Sequence, residues 1–149
     1  MNIQFSQNGS DLYVPDAQAE ALPRTTHLGV GAHQDDLEFM AMHGILECYE
    51  KGDQWFGGVT CTNGAGSART GEFANMTDVA MQEIRAEEQR EASRVGQFSF
   101  MAQLHLPSSN IKDPTNDDLE NDLVEILTES QPEVVYTHNL ADKHSTHIA

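Results

Sequence analysis

Two short stretches of the chain carry side chains of metal-binding type at compatible spacings. Residues 31–38 read Gly-Ala-His33-Gln-Asp35-Asp36-Leu-Glu38 and follow an apolar run, Leu28-Gly29-Val30. Residues 138–147 read His138-Asn-Leu-Ala-Asp142-Lys-His144-Ser-Thr-His147 and follow a second apolar run, Val134-Val135-Tyr136. The first stretch offers one imidazole and one carboxylate, the second one or two imidazoles. Catalytic zinc is held by three nitrogen or oxygen ligands with water in the fourth position, and this inventory meets that need. His33 and Asp36 lie three residues apart at a strand-to-helix junction, where one turn can aim both at a single ion. His144 and His147 are also three apart, so a first helical turn places them on one face. On this reading His147 is a reasonable third ligand, His144 is free for proton or oxyanion work, and Asp35 sits beside the metal without binding it. The plainer alternative makes Asp35 and Asp36 a helix cap that complements the helix dipole, and the His-x-x-His pair a solvated turn. Two such clusters, each directly after a strand-like run, argue against coincidence.

The elements that must position these residues are legible from patterning. A chain of 149 residues suits one domain, and at that size about 68–70% of the unfolded surface can be buried. Residues 1–26, with Pro15, Pro23 and few apolar groups, read as an extended N-terminal arm with a short strand near 12–14; the domain itself runs over 27–149. Strands are predicted at 27–32, 54–62, 98–106 and 133–137. Helices are predicted at 36–51, at 77–95 ending at Gly96, and from a cap at Asn116 to about 129. The 36–51 segment is apolar nearly all round, which predicts a helix sandwiched between layers. Strands alternating with helices predict an α/β, Rossmann-like doubly wound, mainly parallel sheet flanked by helices. Ligands of such sheets bind beyond the carboxyl ends of the strands. His33, the glycine-rich loop 63–71 and the 138–147 cluster therefore converge at one sheet edge.

Composition narrows the partners. Eight Lys and Arg stand against 24 Asp and Glu, a formal charge of −16, which repels phosphate backbones and anionic lipid. Nucleic acid and membrane partners are disfavoured. Cys48 and Cys61, without CxxC spacing, read as two buried reduced thiols. The first residues lack a basic and apolar leader pattern, and no stretch approaches the ~18 apolar residues of a membrane span, so a cytoplasmic location is expected.

The residues 32–38, Ala-His-Gln-Asp-Asp-Leu-Glu, resemble the AHPDD(x)E signature of the PIG-L/LmbE-like family of zinc-dependent N-deacetylases. Thr62-Asn63-Gly64 is similar to that family's loop after its second strand. Arg85-x-x-Glu88-x-x-x-Ala92-x-x-x-Gly96 is similar to its helix pattern, and Tyr136-Thr-His138-Asn139 with Asp142-x-His144-x-x-His147 to its second metal segment. The resemblance implies His33, Asp36 and His147 as ligands of Zn2+, or of another divalent ion such as Fe2+. It implies Asp35 as general base and His144 as the group that protonates the leaving amine. Arg69 and Asn63 are implied as substrate contacts, with a surface charge on a mobile loop the equal alternative for Arg69, and Asp142, Glu38, Glu88 and Arg85 as residues supporting the site. The Arg85–Glu88 pair reads as scaffold steadying the site loop, with Glu88 facing inward on a stripe with Ile84, Ala92 and Val95. The implied activity is removal of an N-acetyl group from an N-acetylglucosamine-type sugar or conjugate. The alternatives are a metal-binding module without catalysis and a thiol-conjugate amidase. Gln34 stands where the family has proline, which loosens the turn, and His-Ser-Thr-His replaces His-Pro-Asp-His, so that Asp142 is the available aspartate for tuning His144. The resemblance also implies further strands beyond residue 149, an N-terminal part of a longer protein, and a core left open to homo-oligomer formation.

Overall fold

The computed structural model describes residues 3–149. Strands β2 (His27–Gly31), β3 (Phe56–Thr62), β4 (Phe100–Leu106) and β5 (Val134–Thr137) are parallel, in the spatial order β4-β3-β2-β5. A short β1 (Asp11–Tyr13) is added antiparallel outside β4. Helices α1 (Asp36–Met40), α2 (Met42–Cys48), α3 (Asp78–Val95), α4 (Ser108–Ile111) and α5 (Asp118–Ser130) fill the crossovers. The fold is the mainly parallel α/β sheet that the alternating pattern predicts.

Two apolar clusters lie on the two faces of the sheet. One joins Leu28, Val59, Phe100, Leu104 and Leu106 to Ile126, Leu119 and Leu123 of the α5 region. The other joins Phe56, Phe98 and Met101 to Leu37, Ala41, Ile45 and Cys48 of α1 and α2. Burial on both faces explains why β4 is closed off at Met101 and Gln103 as well as at the alternating apolar positions. Strand β2 is the hinge of the topology: the chain proceeds from it to β3 and β4 on one side, then returns to its other side as β5. The crevice beyond β2 and β5 is therefore the switch point where doubly wound sheets bind ligands.

Three sequence expectations need correction. The 36–51 helix is two short helices separated at Ala41, whose φ of −116° breaks the helical run. It is not sandwiched, because its outer side carries Phe39 at 84% exposure and Leu46 at 61%. The inner side, with Leu37, Ala41, Ile45 and Cys48 buried and Met40 and Gly44 beside them, meets the sheet. The cap of α5 is Asp117, with the Asn116 Oδ1 accepting from the Asp118 N–H at 3.1 Å. Helix α3 does start as predicted, at Thr77, whose side chain accepts from the Ala80 N–H. No helix among the described residues is long and apolar enough to cross a membrane.

Candidate metal centre

The turn from β2 into α1 carries the first cluster. The His33 N–H donates to the Asp36 Oδ2 at 2.6 Å, and the His33 Nδ1 lies 3.2 Å from the same oxygen. Asp36 is thus folded back over its own turn with its carboxylate inward. After β5, the chain returns His138 to the level of Ala32, whose N–H donates to the His138 Nε2 at 2.9 Å. The His138 Nε2 is 3.2 Å from the Asp36 Oδ2, and the His147 Nε2 is 3.6 Å from that oxygen and 3.2 Å from the His33 Nδ1. Three imidazoles from both clusters therefore surround one carboxylate oxygen.

These atoms form two overlapping groups able to hold an ion, Asp36–His138–His147 and His33–His144–His147, which share His147. The rings of His138 and His147 stack at 3.8 Å, and His144 packs edge-on against His33 at 4.8 Å. Asp142 orders the second cluster: its Oδ1 accepts the His144 N–H at 2.8 Å, while its Oδ2 lies 3.1 Å from the His147 Nδ1. The aspartate thus contacts the ring of His147 and only the backbone of His144.

Charge in the site follows from these contacts. Burial works to raise the Asp36 carboxyl, but hydrogen bonds from the side chain and backbone of His33, with the neighbouring His138, outweigh it and hold the group below its ordinary value. Burial pushes His138 down, so its ring favours the neutral form, with the Nε2 lone pair accepting the Ala32 N–H. The Asp142 carboxyl is lowered by the His144 backbone N–H and then by His147. A neutral imidazole beside an ionised carboxylate is the protonation pattern that suits a divalent cation. The donor set fits a zinc-type ion: imidazole nitrogens and carboxylate oxygen, with a second carboxylate, Asp142, close to the far nitrogen of His147 though not hydrogen-bonded to it.

Above these residues opens a cleft of ≈ 620 Å³, lined among others by His33, Asp35, Thr62, Arg85, Lys112 and His144. Its wall is the glycine-rich loop after β3, where Gly64 takes a φ of +72° and a side chain there would meet Gln34 and Arg85.

Residues 28–149 match the family described as PIG-L, GlcNAc-PI de-N-acetylase. The chain belongs to the PIG-L family. No curated protein matches it. Among solved structures, a conserved protein from Thermus thermophilus is similar at 25% identity and a TM-score of 0.64, over 83% of this chain and 51% of that one. An N,N'-diacetylchitobiose deacetylase from Pyrococcus horikoshii is similar at 19% identity and a TM-score of 0.69, over 90% and 50%. A 4-carboxy-2-hydroxymuconate hydratase from Pseudomonas putida is similar at 22% and 0.63, over 83% and 51%. The last two likenesses are of fold alone. The PIG-L chain described here spans about half the length of these structures.

The remaining residues of the PIG-L motifs fall into place around the centre or away from it. Asp35 stands at the start of α1 in the left-handed region, φ 86°, and makes no side-chain cap. Its Oδ2 accepts from the Arg85 Nη2 at 2.8 Å instead. Glu38 is half-buried, accepts from the Gln89 Nε2 at 3.0 Å and is raised by burial and then by the charges of Asp35 and Asp36. Glu88 does not face inward: it is exposed and pairs with Arg85, and Gln89 takes the buried position. Arg69 is turned into its own loop, donating to the carbonyls of Ser67, Ala65 and Met76 and pairing with Asp78, and it does not line the cleft. Asn63 likewise closes a local turn, its Oδ1 accepting from the Ala65 N–H at 3.1 Å. Gln34 is buried, and its Nε2 donates to the Thr62 carbonyl at 3.0 Å, a side-chain tie to β3 in place of a proline ring. His138 is the residue to which sequence reasoning gave no role. Its signal was position, since it follows β5 as closely as His33 follows β2.

Proposed function

We propose that this chain carries the metal centre of a hydrolase that removes an N-acetyl group, most simply from an N-acetylglucosamine-type sugar or conjugate. The observation that carries the reading is the convergence of His33, His138 and His147 on the Asp36 Oδ2, with His33 and Asp36 lining the cleft. The family description and the deacetylase among the structural neighbours support it.

His33, Asp36 and His147 would hold the ion, with His138 packed against Asp36. A divalent cation in such a site supplies Lewis acidity and a water that ionises near neutral pH. Asp35, at the cleft wall beside these ligands, accepts the proton of the attacking water. His144, exposed at the rim, donates to the departing nitrogen. Zinc is the ion that suits imidazole and carboxylate together, and Fe2+ is compatible with the same donors. The substrate is a small molecule that fits the cleft, and the location proposed is cytoplasmic.

The test is acetate release from N-acetylglucosamine conjugates by metal-loaded protein, with metal content measured in parallel. Asp35→Ala lowers turnover at least about 100-fold while one ion per chain is retained. Full turnover in that variant, or loss of the ion with it, overturns the assignment. Metal binding without acetate release by the unmodified protein points to a non-catalytic metal module, and release from thiol conjugates alone to the amidase alternative.

A further inference from the structure

The carbonyl of Gln34 and the N–H of Asp35 belong to one peptide group, and helix α3 holds both ends of it. The Arg85 Nη2 donates to the Gln34 carbonyl at 2.6 Å. One turn further along α3, the Gln89 Oε1 accepts the Asp35 N–H at 3.0 Å. The two side chains are four residues apart, so they lie side by side on the helix and reach the same plane. Gln89 is only 2% exposed, and the other end of its amide is fixed on Glu38. A polar side chain in such a position is stable only because every bond it makes is kept. Arg85 also pairs with the Asp35 carboxylate, so backbone and side chain of Asp35 are held from one element.

The need for a clamp follows from the backbone. Asp35 adopts φ 86° without being glycine, a conformation that persists only where the surroundings impose it. Rotation of the 34–35 peptide would release that φ and swing the Asp35 carboxylate away. The turn lacks a proline ring, and Gln34 is tied to β3 only through its side chain.

We infer that Gln89, with Arg85, is a positioning residue that locks the Gln34–Asp35 peptide and thereby fixes the Asp35 carboxylate beside the metal centre. This rests on the reading of Asp35 as base, but its structural half stands on its own. Gln89→Leu keeps the volume and removes both hydrogen bonds. The Asp35 amide is followed by hydrogen exchange in the intact chain, together with metal content and the kinetic constants. Exchange at Asp35 is expected to accelerate at least about tenfold while amides of β2 and β3 are unchanged, the ion is retained, and kcat falls about tenfold or more with KM unaltered. Arg85→Lys, which keeps the charge but loses the planar fork, is expected to show the same pattern in milder form. Unchanged Asp35 exchange in Gln89→Leu, or acceleration spread evenly over the sheet, overturns the clamp. Faster exchange at Asp35 with full kcat overturns its role in positioning. If the unmodified protein releases no acetate, the function proposed above fails, and the exchange measurement still decides whether the clamp exists.

Discussion

The Asp142 carboxylate stands 3.1 Å from the His147 Nδ1, on the side of the ring opposite the nitrogen that faces Asp36. The two groups make no hydrogen bond, so the carboxylate acts on the ring by its charge beside Nδ1, while Nε2 is the nitrogen that faces Asp36. Asp142→Asn keeps an acceptor for the His144 N–H but removes the charge beside His147. The variant is expected to bind Zn2+ about 10- to 100-fold more weakly at unchanged fold, as read by competition with a chromophoric chelator. Equal affinity in the two proteins would show that His147 is oriented by its stacking on His138 instead.

A second prediction concerns pH. Asp11 of β1 accepts from Arg90 of α3 at 2.9 and 3.1 Å and lies 3.3 Å from His105 of β4, tying the edge strand to two other elements. Burial works to raise its carboxyl, but the hydrogen bonds from His105 and Arg90 outweigh it, and the folded value lies below the ordinary one. A carboxyl depressed by folding stabilises the native state above its unfolded pKa, about 3.9, and loses that contribution as pH falls through the folded value. Asp11→Asn is therefore expected to cost about 1 kcal/mol at pH 7. The deficit should shrink below pH ~4 and vanish at lower pH, in denaturant unfolding at a series of pH values. A deficit independent of pH would assign the loss to packing.

A third prediction tests the strand that launches His33. A Cβ on Gly29 would lie 2.7 Å from the Phe56 Cζ and 2.9 Å from the Leu37 Cδ2, and both of those side chains are fully buried. Neither can retreat into solvent. Overpacking costs about 1–3 kcal/mol, against about 0.4–1 kcal/mol recovered by stiffening the unfolded chain. Gly29→Ala is expected to be destabilised on balance, with Tm lower by a few degrees in calorimetry. An unchanged Tm would mean that the Phe56–Leu37 packing is looser than its burial indicates.

The order and type of the elements were legible in the sequence because the apolar runs are short, separate and punctuated by Gly52, Gly96 and Pro132. The convergence of the clusters followed from topology, since each comes directly after a parallel strand. Helix α3 was harder. Its buried residues are Met81, Ala86, Gln89 and Ser93, two of them polar and one small, so its inner face carries no apolar stripe to read. A stripe drawn through Ile84, Glu88 and Val95 rotates the helix and puts Glu88 inside, where the structure has Gln89. What fixes the rotation is hydrogen bonding to Asp35 and Glu38, a tertiary fact that periodicity does not contain. The loop arginine was ambiguous for a related reason. Arg69 has four oxygen partners within its own loop and α3, and local sequence does not distinguish a clamp from a substrate contact.

His33 and His147 meet although they are 114 residues apart in sequence, and the pairing of β5 on β2 is what brings them together. Contacts closing so long a loop form late and slowly compared with helices and neighbouring strands. Before that pairing, His33 and Asp36 alone offer an ion two donors, too few to hold it well. On the function proposed above, Zn2+ uptake during refolding is expected to follow the pairing of β5 with β2, and its time course would report the completion of the sheet.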